Sequence, residues 1–136
     1  MPHPLPTPPA FPTVSHLPSA AAALADTWSP RVLAQVNDQY LKVARVQGEL
    51  AWHAHADEDE LFLVLDGHLR IEYQDRPHVS LGPGDAHVVP RGVMHNPVAG
   101  QPCLLALIEP VSTRHTGDAV TPRTRSLAEQ LGAAAG

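Results

Sequence analysis

Gly48-Glu49-Leu50-Ala51-Trp52-His53-Ala54-His55, continued through Glu60 to Gly67, is the stretch on which the reading of this chain turns. His53 and His55 stand two apart, and on an extended strand such residues share a face, so both imidazoles leave the same side. Ala51 precedes them on that side and is too small to crowd it. Glu60 comes five residues after His55, out of phase for one unbroken strand. A bend in the polar run Ala56-Asp57-Glu58-Asp59 and an antiparallel return would set Glu60 beside the histidines, with Phe62 and Val64 on its face. A second block, Gly84-Asp85 through Pro90 and Gly92 to His95-Asn96, brings a third imidazole in from a turn.

Each piece alone has an ordinary explanation. A histidine pair at i and i+2 is common, Glu60 could end a solvated acidic turn, and His95 could be a loop residue. Joined at these spacings, with glycines bounding the blocks, His53, His55, Glu60 and His95 form the inventory of one mononuclear metal site. Imidazole with carboxylate suits a divalent transition metal ion: Fe, Mn, Ni, Zn or Cu. An octahedral ion would keep open positions for a small molecule, whereas four-coordinate zinc would be closed and structural.

The rest of the chain reads as all-β. The period becomes two from Arg31, with strands expected over residues 32–36, 40–46, 50–55, 61–65, 68–73, 79–81, 86–89 and 103–108. Residues 61–65 are continuously apolar, which predicts burial on both faces. Turn signals (Asp66-Gly67, Gly82-Pro83-Gly84, Arg91-Gly92, Ala99-Gly100) recur at the spacing of a barrel or sandwich. Three regions are expected: an extended arm over 1–18, holding seven of the 15 prolines; a β-barrel domain over 19–111 with an N-terminal helix; and a polar tail over 112–136 with a weak helix at 126–131. Ser19 is the expected cap of a helix over 20–27.

Composition narrows the function. A chain of 136 residues holds one domain, and a net charge of −5 with 4% aromatics argues against nucleic acid and anionic membrane as partners. No stretch is long and apolar enough for a membrane span. Cys103 is the only cysteine, so no internal disulfide can form; it reads as a buried, inert thiol. With no signal peptide visible, a cytoplasmic location is expected.

Other residues receive weaker readings. Arg45, if it faces inward with Leu41 and Val43, could anchor an anion near the metal, against the plainer reading of a rim salt bridge. Phe62 and Val64 would line the pocket, and Met94 could reach its mouth. Asp85 reads as a turn residue, His87 as surface or interface, and His78 and His115 as loop residues. Leu61, Leu63 and Leu65 face away from Glu60 and need cover, which a homodimer would supply.

The two blocks resemble the motifs of the cupin superfamily. The first motif appears as Gly48, His53, His55, Glu60 and Gly67, with four residues instead of the usual five between Gly48 and His53. The second appears as Gly84, Asp85, Pro90, Gly92 and His95; the asparagine that often follows stands unusually close, at Asn96. The short stretch from Gly67 to Gly84 is similar to that of small single-domain bacterial cupins of the "cupin 2" type, often labelled similar to mannose-6-phosphate isomerase. The resemblance spans about residues 31–110. It implies a jelly-roll β-barrel with His53, His55, Glu60 and His95 as ligands. The fold hosts oxygenases, isomerases, epimerases, lyases, storage proteins and sugar-sensing domains, so it does not name a reaction. The expectation is a barrel holding one metal and binding or transforming a small organic molecule. If enzymatic, it would be a metal-dependent oxygenase or an isomerase or lyase; the alternatives are a non-catalytic sensing module or a barrel with a purely structural metal. No catalytic residue beyond the ligand set stands out.

Overall fold

The computed structural model describes residues 12–117 and 119–132, so most of the expected proline-rich arm lies outside the described residues. Nine elements follow in order: α1 (Leu17–Ala22), β1 (Arg31–Val36), β2 (Gln39–Glu49), β3 (Glu60–Asp66), β4 (Leu69–Tyr73), β5 (Val79–Leu81), β6 (Ala86–Val89), β7 (His95–Pro110) and α2 (Leu127–Gln130). All strand pairs are antiparallel, as in a jelly-roll barrel.

β7 organises the sheet. Its first part, residues 95–98, pairs with β4, while residues 104–108 lie between β2 and β3. One long strand therefore serves both halves of the sheet, and between them lie the apolar residues Val46, Phe62, Val64, Ile71, Leu105 and Leu107. Gly67 makes the β3–β4 turn close: a Cβ there would stand 2.7 Å from the Pro102 carbonyl oxygen, and its φ of +84° suits glycine.

Several expectations are revised. Residues 50–55 form no strand; they make a single bridge, His53 to His95. In β3 only one face is fully buried, because Glu60, Phe62 and Val64 point inward and Leu61, Leu63 and Leu65 are half-buried on the other side. α1 starts earlier than expected and ends at Ala22, with His16 as its N-cap. Pro18 explains the shift, since its fixed φ and missing N–H suit the first helical turn. α1 packs on β2, β7 and β3. Val43 and Ala106, register partners on the outer face of the sheet, are buried.

The residues after β7 return to the barrel. Thr113, Thr116 and Gln130 are buried. Gly117 lies flat against the loop that carries His53 and His55: a Cβ there would come within 2.0 Å of the Ala54 carbonyl oxygen. Ser126 caps α2 with a reciprocal bond to Glu129, a capping box within the helix expected there.

Candidate metal centre

Three pieces of backbone deliver the four side chains. His53 and His55 hang from the loop between β2 and β3, Glu60 opens β3, and His95 opens β7. His53 and His95 exchange both backbone hydrogen bonds at 2.9 Å, which fixes the loop against β7. The imidazole centroids lie 4.3 Å apart for His53–His95, 5.1 Å for His53–His55 and 5.8 Å for His55–His95. Glu60 Oε1 is 3.5 Å from Nε2 of both His55 and His95. All four residues are buried, and one ligand atom from each lies within 4.8 Å of the others.

The hydrogen bonds settle two tautomers. His53 Nδ1 is 2.8 Å from the Ala51 carbonyl oxygen, and His95 Nδ1 is 3.0 Å from that of Val93. A carbonyl can only accept, so each Nδ1 carries the proton and each Nε2 keeps a bare lone pair. Nε2 of His55, Nε2 of His95 and Oε1 of Glu60 are buried without a hydrogen-bond partner. Orphaned buried polar atoms are costly; here three of them share one small region. Ligand atoms about 2.1 Å from a common ion and roughly 90–110° apart stand about 3.0–3.5 Å from one another. The donor set and the observed 3.5 Å spacings fit a metal ion.

Electrostatics prepare the same site. Burial alone would raise the Glu60 pKa, but His55, His95 and Glu109 together hold it well below the usual carboxylate range. Burial and the neighbouring His95 push His53 down to about 4, so it is neutral near pH 7. Glu109 is also buried; burial and the Glu60 charge beside it raise its pKa well above normal. Lys42 Nζ lies 2.7 Å from Glu109 Oε1 and also bonds the side chain of Gln130.

This inner row corrects the reading of β2. Lys42, not Arg45, faces the interior, along with Tyr40, Ala44 and Val46. Arg45 points to the α1 side, where Nε and a terminal nitrogen donate to the carbonyls of Leu24 and Ala25 at 3.0 and 2.6 Å. The physical reason is that Lys42 has a buried carboxylate to meet, while the chain leaving α1 offers Arg45 free carbonyls. A signal was present in the sequence: Lys42 and Glu109 are opposite charges set within apolar strand segments. His87 is likewise turned inward, opposite Phe62, and its Nε2 is 2.7 Å from the Tyr73 hydroxyl. Val88 faces out instead.

A small cavity of about 30 Å³, open to solvent, lies beside His53 and Glu60. Phe62 lines it with Trp28, Leu105 and Leu107. Val64 is buried but is not part of its wall, and neither is Met94, which is 40% exposed. His115 does line it, on a segment that local sequence pattern left as loop. Nothing near His115 in sequence marks it; only the return of the chain after β7 brings it there. Cys103 is buried as expected, its thiol pushed up to about 11 by burial and by Asp66.

The Cupin_2 family model, a cupin domain, matches residues 41–109. The chain belongs to the cupin family. This cupin is 40% identical over 63 residues to the uncharacterized protein YdbB of Bacillus subtilis (strain 168), a match covering 46% of this chain and 56% of that one. It thus spans little more than half the length of that relative. A cupin-2 domain containing protein from Shewanella frigidimarina NCIMB 400 has a crystal structure similar to this cupin, at 40% identity and a TM-score of 0.68 over 71% of this chain and 94% of that one. The hydroquinone 1,2-dioxygenase of Sphingomonas sp. TTNP3, solved with 4-hydroxybenzoate bound, matches at 18% identity and a TM-score of 0.63 over 73% of this chain and 74% of that one. At that identity the likeness is one of fold alone. Among the described residues no helix is long and apolar enough to cross a membrane.

Proposed function

We propose that this cupin holds one divalent first-row ion on His53, His55, Glu60 and His95 and binds a small organic molecule in the adjoining cavity. The carrying observation is the convergence of three buried, partnerless ligand atoms on one region. When bound, such an ion supplies Lewis acidity or a site for redox chemistry. The protein's own groups do the rest. Glu60 contributes the negative charge that offsets a cation. The Nδ1–H bonds to Ala51 and Val93 hold two imidazoles in the ligating tautomer. His53 is neutral near pH 7, so no proton need leave it before it ligates. Trp28, Phe62, Leu105 and Leu107 exclude water and favour an apolar ligand body.

The reading extends to assembly and location: a cytoplasmic homodimer. Leu41, Ile108, Leu61 and Val88 follow one another in register across four strands and point outward. Ile108 and Val88 are 41% and 45% exposed, an apolar row of the kind an isologous partner covers.

Elemental analysis of untagged protein tests the core of the reading. The expected result is about one equivalent of a first-row ion in the wild type, and at least a ~100-fold loss of affinity in His53→Ala and His95→Ala, more than removal of an outer-shell group costs. A wild type that stays metal-free after reconstitution, or variants that keep full occupancy, would sink it. Product analysis of bound small molecules then separates an enzyme from a sensing module.

A further inference from the structure

We propose that His115, outside the four-residue ligand set, is the ligand-positioning group of the cavity, donating an Nε2–H hydrogen bond to the oxyanion of a small organic acid bound beside His53 and Glu60. The proposal rests on the metal-centre reading and adds a substrate class to it.

The tautomer follows from one bond. The backbone N–H of Arg125 donates to His115 Nδ1 at 2.9 Å. That nitrogen is therefore an acceptor, and in the neutral ring the proton must sit on Nε2. His53 and His95 are the reverse: their Nδ1 donates and their Nε2 offers a lone pair. The same side chain is thus set up as a metal ligand on the barrel and as a hydrogen-bond donor on the segment that follows it. His115 lines the cavity, and the bond from Arg125 engages its Nδ1 and not its Nε2.

The segment carrying His115 is held firmly. Gly117, two residues on, lies against the Ala54 carbonyl between His53 and His55, too close for any Cβ. Ser112 donates to Glu58, on the same loop, at 3.2 Å. Arg125, whose amide fixes the His115 ring, bonds the Ser29 hydroxyl at 3.2 Å. Gln130 bonds Lys42 inside the barrel. His115 is therefore positioned against the ligand-bearing loop by contacts on both sides.

The ligand class follows from the lining. The lining is apolar and aromatic apart from His53, Glu60 and His115. Three neutral imidazoles and one carboxylate around a divalent ion leave a net charge of +1, which favours an anion. Lys42 is engaged by Glu109 at 2.7 Å and does not line the cavity. A compact acid with an apolar body and one carboxylate fits both the walls and that charge.

The test uses full-length, metal-loaded protein titrated with acetate and benzoate, and with acetamide and benzamide as neutral counterparts. Saturable binding of at least one acid is expected, in clear preference to its amide. His115→Leu should weaken that binding at least tenfold with unchanged metal content. His115→Gln should stay within about threefold, because its amide can accept from Arg125 and donate into the cavity. Carbon and nitrogen shifts of the His115 ring should report the Nε2–H tautomer in the metal-free wild type, a readout independent of activity and of variant folding. The proposal falls if neither acid binds, if the leucine variant binds as tightly as wild type, or if the ring proton sits on Nδ1. Metal content of the wild type, measured on the same sample, shows separately whether the metal reading has failed.

Discussion

His53 and His115 show how one residue type is divided between roles by a single hydrogen bond each. Both have pKa values driven down to about 4, first by burial and then by a second group that would repel the charged ring, His95 for the former and the Lys42 ammonium for the latter. The sign of the pH dependence follows. Above pH 6.5 neither the folded nor the unfolded chain protonates them, so stability is indifferent. Between 6.5 and 4 the unfolded chain takes up protons that the folded one refuses, so stability falls as pH falls. Each histidine should cost roughly 2–4 kcal/mol by pH 4. Glu109, with its raised pKa, works in the opposite sense over part of the acid range. The clean measurement is therefore a difference: urea midpoints of metal-free wild type and His115→Gln from pH 7 to 4. The two curves should diverge on acidification, with wild type losing more. Parallel curves would mean that His115 is not kept neutral by the fold.

At the scale of elements, the loops as well as the strands hold the site. The strand expected over 50–55 is absent because the loop needs only one bridge, His53 to His95, to bring its histidines to β7. What presses that loop into place is the chain after β7, through Gly117. Its φ is +56°, and an added Cβ would collide with backbone that cannot yield as a flexible side chain would. Gly117→Ala should therefore destabilise the protein by about 2–4 kcal/mol. Gly84→Ala makes a fair control: φ is +85°, yet nothing stands within 4 Å of the new Cβ. It should cost only about 1 kcal/mol. Denaturant midpoints at constant slope decide the comparison. Equal losses would show that the Gly117 contact does not constrain the loop. The elements most legible in the sequence were those with a clean period or a strong turn, such as β4, β5 and β6. α1 was displaced because Pro18 was read as part of the arm and not as a first-turn residue.

At the scale of the molecule, the sheet is covered unevenly. α1 packs over the side where Val43 and Ala106 are buried, while the neighbouring outward row from Leu41 to Val88 keeps two large apolar side chains substantially exposed. The homodimer reading predicts a sedimentation mass near twice that of the 14.6 kDa chain. Val88→Asp should shift the population to monomer, because a charge placed in an isologous interface meets its own copy. A wild type that sediments as monomer at tens of micromolar would remove this assembly from the reading.

The amino-acid sequence alone determined the all-β class, the two glycine-bounded blocks and the choice of His53, His55, Glu60 and His95. Those depend on spacing, periodicity and turn chemistry, which are local. Only the tertiary structure decided that Lys42 turns in and Arg45 out, that His87 meets Tyr73, and that His115 returns to the cavity. A period of two says that neighbours on a strand face opposite ways, but not which face is inside when both carry apolar and charged residues. That choice is made by contacts between segments far apart in sequence: Glu109 reaching Lys42, the end of α1 reaching Arg45, and Arg125 fixing His115.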